Sequence, residues 1–128
     1  QHVLDPLNGY LMLAEKLYTE GSAFAEAFNF GPAEEDAKPV QWVVEQIIQS
    51  WGDGASWQLD CGTHPHEAHY LKLDCSKACA KLGWQPHWDL VQALQAIIAW
   101  HKAHSTHQSS TEMRSLCLQQ IRKYSQAM

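Results

Sequence analysis

No apolar run in the sequence approaches ~20 residues, so none reads as a membrane-spanning helix. Basic residues are not in excess. Nine Lys and Arg stand against 14 Asp and Glu, giving a formal net charge of -5. Without a cationic surface to displace counterions from phosphates, a nucleic-acid partner is not expected. The closely spaced glycines that a dinucleotide-binding turn needs between a strand and a helix are missing. Cysteine is sparse: four, at 61, 75, 79 and 117. Two of these fall four apart on one predicted helix, which is not the pattern of a secreted disulfide scaffold. That usage points to a reducing, cytoplasmic setting. No secretory leader is visible either, since Gln1-His2-Val3 is neither a start methionine nor a charged n-region. The chain reads as if cut from something longer.

What is present is an ordinary globular composition, 45% hydrophobic and 18% charged, with six Trp in 128 residues. That length suits one domain with a modest core. Residues 1–3 read as the end of a strand. Asp5-Pro6 opens a helix, with Asp5 as its cap and Pro6 at the first turn, where a missing amide costs nothing. Leu7, Leu11, Ala14 and Leu17/Tyr18 recur at helical spacing and predict a buried face. Gly9 inside this helix costs about 1 kcal/mol relative to Ala, which a close packing neighbour would explain. Gly21 ends the helix.

Phe28-Asn29-Phe30-Gly31 reads as a short buried strand and turn, followed by the acidic loop Glu34-Glu35-Asp36. Pro39 starts a helix whose Val40, Val43, Val44, Ile47, Ile48 and Trp51 share one face, and Gly52 closes it. Trp57-Gln58-Leu59-Asp60 alternates like a strand, as do Leu71 and Leu73. Asp74 is placed to cap a helix from Cys75 to Leu82, ended by Gly83 in the left-handed conformation. Asp89 caps the next helix, which runs to about residue 103 with Leu90, Leu94, Ile97, Ile98 and His101. Residues 104–111 form a polar linker, and Ser109-x-x-Glu112 fits a capping box for a last helix. There Met113, Leu116, Ile121 and Tyr124 face inward. The sum predicts a mixed α+β (α/β) fold of about five helices and three short strands. It forms one domain over residues 1–128, whose core is completed by another part of a longer chain.

Several stretches carry a resemblance. They are His2-Val3-Leu4-Asp5, Asn29-Phe30-Gly31, His64-Pro65-His66-Glu67, Leu73-Asp74, Ser76-Lys77-Ala78, Leu82-Gly83-Trp84-Gln85-Pro86 and Trp100. In order and spacing they resemble the carboxy-terminal portion of extended short-chain dehydrogenase/reductases that act on nucleotide sugars. Residues 1–18 and 64–78 are most similar to the CDP-glucose 4,6-dehydratase branch. Related dTDP-glucose and GDP-mannose dehydratases carry Arg where this chain has His64, which leaves the charge partner of the diphosphate unidentified. The resemblance implies a cycle in which NAD takes hydride from C4 of the glucose unit, water leaves across C5 and C6, and hydride returns to C6. The product serves dideoxyhexose synthesis for lipopolysaccharide O-antigen.

The resemblance also implies that NAD sits in an amino-terminal Rossmann half absent from this chain, and that the full-length enzyme is a homo-oligomer. The family's Tyr-x-x-x-Lys base is missing: Tyr10, Tyr18, Tyr70 and Tyr124 all lack Lys four residues on. No catalytic, cofactor-binding or metal-ligating residue is therefore assigned, and the chain alone is expected to be inactive. Glu67 is implied to hydrogen-bond the nucleotide ribose, since a carboxylate suits two adjacent hydroxyls. As a plain loop acid it would carry no role. His66 and His64 flank it, able to meet phosphate or simply to form a turn. Asn29 is implied to contact the nucleotide, against an Asx turn ahead of Gly31. His2 occupies an aromatic position of the family, which favours a core role.

Two alternatives remain at this stage. Another nucleotide-sugar epimerase, dehydratase or reductase shares the same carboxy-terminal half. From a different class, Cys61, His64, His66, His69, Cys75 and Cys79 form a Cys/His cluster that suggests a stand-alone zinc-stabilised interaction module.

Overall fold

The structure is a computed structural model that describes residues 1–62 and 72–127. Five α-helices carry it: α1 (Leu4–Glu20), α2 (Val40–Trp51), α3 (Ser76–Leu82), α4 (Leu90–Ser105) and α5 (Ser110–Ser125). Short 3-10 turns lie at Gly21–Phe24 and Glu34–Asp36. In the described residues α1 packs on α3, and α4 packs on both α2 and α5.

The helix ends follow their local chemistry. Asp89 accepts the Gln92 amide at 2.8 Å while Gln92 returns a bond to the Asp89 amide at 3.1 Å. Ser109 and Glu112 form the same reciprocal box on α5. Gly83 ends α3 at φ +68, the left-handed conformation in which an L side chain would be strained. Asp36, in the acidic loop, accepts the Leu90 amide at 3.0 Å and satisfies another orphan donor at the start of α4. Asp74 works one residue off its predicted place. Its Oδ1 accepts the Ser76 amide at 2.9 Å as an Asx turn, and Cys75 is the residue at the cap position.

The predicted α/β class is overturned: among the described residues there is no strand. Alternation along a segment makes a sheet only where a neighbour supplies a ladder of backbone bonds. Residues 28–31 and 72–75 do lie side by side, but through side chains. Asn29 Nδ2 donates to the Asp74 carbonyl at 3.1 Å, and the Gly31 amide donates to Cys75 Sγ at 3.0 Å. Residues 57–60 form no regular element and are exposed, Leu59 by 76%. Residues 1–3 turn directly into α1, the Asp5 amide reaching the His2 carbonyl at 3.2 Å.

The predicted buried face of α1 is also corrected. Leu7, Leu11 and Tyr18 are exposed, and the buried residues of the helix are Asp5 and Gly9. Gly9 lies against the Phe30 ring, and a Cβ there would fall 2.3 Å from Phe30 Cδ1. Phe30 in turn meets Trp84 edge-on at 5.1 Å between ring centres. With Ala78 and Leu82 these two rings form one buried cluster.

A second cluster surrounds Asp5, which is fully buried. Its carbonyl accepts the Trp84 indole N–H at 3.1 Å. Its Oδ1 accepts both the His87 amide and the Tyr124 hydroxyl at 2.9 Å. Asp5 is thus no helix cap but the joint between α1, the Trp84–Trp88 link and α5. His2 is buried beside it, tilted on Trp88 at 4.8 Å, in the core role its aromatic position implied. Burial pushes its imidazole below the ordinary value, against an opposing pull from Asp5. Burial, and then the bond to Asp5, push the Tyr124 phenol well above its ordinary range.

Candidate functional site

A concavity of about 1290 Å³ opens between residues 31–37 on one wall and residues 72–80 on the other. Trp84 and Pro86 also line it. Each wall is positioned by the core. Gly31 follows buried Phe30 and is pinned by Cys75 Sγ, and a Cβ on Gly31 would lie 3.1 Å from Leu73 Cβ. A side chain here would require the opposite wall to give by a few tenths of an ångström. Trp84 is held by Asp5 from beneath. The Ala78 side of α3 is buried against the same cluster, and Lys77 and Lys81 both pair with Glu26 to fix the helix laterally.

Three charged side chains line the described part of the cleft: Glu34, Lys72 and Asp74. Lys72 Nζ bonds Glu34 Oε1 at 2.7 Å. That ammonium holds the Glu34 carboxyl below its usual range. Asp74 is likewise held low, by its bond to Ser76. Apolar lining with a few fixed polar groups is the pattern of a small-molecule site.

Asn29, predicted as a nucleotide contact, stands at the edge of this cleft, with its amide nitrogen committed to Asp74. Glu67, His66 and His64 lie outside the described residues. The proposed zinc cluster loses the same two histidines, and His69, from description. Among the described residues no three His, Cys, Asp or Glu converge on a metal position, and Cys61, Cys75 and Cys79 are free thiols. The described residues also offer no glycine-rich turn for a dinucleotide, so a nicotinamide cofactor does not fit here. Sequence reasoning missed the Lys72–Glu34 pair, whose members are 38 residues apart. The acidic loop and the half-buried alternation around Leu71 and Leu73 were each visible, but nothing local joined them.

A smaller apolar cavity of about 280 Å³ lies between the start of α1, α4 and α5, lined in part by His2, Trp100, His101 and Cys117. Its lining takes in the resembling stretch His2–Leu4 and Trp100, but neither residues 29–31 nor residues 72–78, which adjoin the residues implied to meet the nucleotide. The larger cleft is therefore the candidate site.

No family model matches the chain. A curated protein does. The chain resembles a CDP-glucose 4,6-dehydratase. The match, to the enzyme named so from Salmonella typhimurium strain LT2, is 59% identical over 103 residues. It covers 80% of this chain and 29% of that protein, so the chain spans less than a third of the relative's length. The resemblance read from the Leu-Gly-Trp-x-Pro and Asp-x-Ser-Lys-Ala motifs is borne out by this match. No helix among the described residues is long and apolar enough to cross a membrane.

Proposed function

We propose that this chain is the substrate-binding, carboxy-terminal portion of an NAD-dependent dehydratase, a lyase converting CDP-glucose to CDP-4-keto-6-deoxyglucose and water. The observation that carries the reading is the 59% identity to a CDP-glucose 4,6-dehydratase over 80% of the chain. The cleft between residues 31–37 and 72–80 is the place we assign to the CDP-sugar. Asn29 at its edge and Glu67, His66 and His64 from the adjoining stretch are the proposed contacts, with Glu67 on the ribose.

NAD would be bound by an amino-terminal half of the extended short-chain dehydrogenase/reductase type, since this chain lacks the turn for it. The exposed stripe of α1 supports such a partner. Val3, Leu7, Leu11 and Tyr18 recur at helical spacing, yet are 60%, 45%, 71% and 92% exposed. Apolar surface so ordered is what an unpaired interface looks like. The complete enzyme is read as a cytoplasmic homo-oligomer serving O-antigen sugar synthesis.

Titration calorimetry with CDP, dTDP and GDP tests the reading, on this chain and on the protein as its gene encodes it. Selective binding of CDP is expected. Failure of the full-length protein to bind CDP, or equal binding of all three, would overturn it.

A further inference from the structure

We propose that Lys72 is the cation that meets the diphosphate of the CDP-sugar, and that Glu34 holds its ammonium in place until the substrate arrives. This rests on the cleft being the CDP-sugar site. A diphosphate brings concentrated negative charge, and its site must supply compensating charge or donors. Among the described residues lining the cleft, Lys72 is the one basic side chain.

Its surroundings suit an exchange of partners. The Lys72 side chain is 30% exposed, whereas that of Glu34 is 86% exposed. The lysine stem is therefore already packed on the wall, and its rotamer freedom is largely spent before any ligand binds. The carboxylate opposite stands in water, where an ion pair is screened and weak. An incoming diphosphate can displace the Glu34 carboxylate from the ammonium, and Glu34 swings into solvent. The other acid of the lining, Asp74, already has Oδ1 bound to the Ser76 amide at 2.9 Å. Glu34 therefore competes with the ligand for Lys72.

The test is calorimetric titration of the protein as its gene encodes it, with cytidine, CDP and inorganic pyrophosphate. Lys72→Ala is expected to weaken CDP about tenfold or more and to weaken pyrophosphate likewise. Cytidine affinity should be unchanged, which also reports an intact fold. Lys72→Arg should retain CDP binding. Glu34→Gln should tighten CDP by removing a competitor, and Lys16→Ala, whose ammonium pairs with Glu20 on α1 away from the cleft, should change nothing. If the wild type binds CDP and its advantage over cytidine survives Lys72→Ala, the role of Lys72 is refuted while the CDP-sugar reading stands. A weakened Glu34→Gln would refute the exchange. If the wild type binds neither CDP nor cytidine, the site reading itself fails and this inference with it.

Discussion

Replacing Gly9 by Ala sets two opposed effects against each other. In a helix interior the change gains about 1 kcal/mol from propensity. In this chain the new methyl would lie 2.3, 2.5 and 2.8 Å from three atoms of the Phe30 ring. The ring has little room to retreat, because Trp84 meets it edge-on at 5.1 Å, Tyr10 edge-on at 5.5 Å, and Phe28 stacks at 6.5 Å. Overpacking of a fixed core costs about 1–3 kcal/mol, occasionally more. Expelling Phe30 altogether would cost about 3–5 kcal/mol, which bounds the loss. The clash therefore outweighs the propensity gain, and Gly9→Ala is expected to destabilise the protein by about 1–2 kcal/mol. Urea unfolding followed by Trp fluorescence and helical circular dichroism reads this as a lower midpoint at unchanged slope. Combining Gly9→Ala with Phe30→Leu should recover part of the loss, a favourable coupling in a double-mutant cycle. An equal or more stable Gly9→Ala protein would refute the packing argument.

Asp5→Ala should cost about 3 kcal/mol, because it strands the buried Tyr124 hydroxyl and the part-buried His87 amide as donors. Tyr124→Phe, which removes one of those bonds, should cost clearly less by the same unfolding assay. For His2, whose folded-state value lies below the unfolded 6.5, the unfolded state binds more protons below about pH 6.5. Stability is therefore expected to be flat above that pH and to decline below it until the folded-state value is passed. His2→Phe should abolish this part of the slope, and a retained slope would refute the assignment. The carboxyls of Glu26, Glu34, Asp74 and Glu112 are all held low, so their own decline belongs to a separate window, as pH falls below about 4.5. In the complete enzyme Glu67→Ala should raise KM more than it lowers kcat, since a ribose contact is made equally before and during reaction. An unchanged KM would remove Glu67 from the site.

Features settled within four residues were legible in the sequence. The Ser109–Glu112 capping box, the Asp89 cap, Gly83, and Gly21 and Gly52 closing their helices all follow from groups next to one another in the chain. Gly9 was legible in a weaker sense: its cost called for a close neighbour, though not for Phe30 by name. Which face of α1 is buried was not legible. Leu7, Leu11 and Tyr18 make the stronger apolar pattern, but burial went to His2, Asp5 and Gly9. Their partners decide it, and Trp84, His87 and Tyr124 lie 79, 82 and 119 residues from Asp5. The strand readings failed for a related reason. Alternation reports what a segment offers to a neighbour, and the neighbour of residues 28–31 answers with a carbonyl, a thiol and a Leu methylene rather than a ladder.

The same long-range contacts tie the cleft to the core. Asp5 holds the Trp84 indole, Trp84 braces Phe30, and Phe30 fills the notch at Gly9. The next residue, Gly31, has no slack, fixed by Cys75 Sγ at 3.0 Å and crowded by Leu73. A displacement of Phe30 must therefore be passed to Gly31 and to the wall that carries Glu34. Gly9→Ala should then weaken CDP binding together with stability, because close-packed interiors transmit strain. Glu34→Gln, whose side chain stands 86% exposed at the rim, should change binding and leave the unfolding midpoint alone. Binding and stability falling together for the first variant, and binding alone changing for the second, would show that the site is built outward from the Asp5–Trp84–Phe30 contacts, with its charge added at the edge.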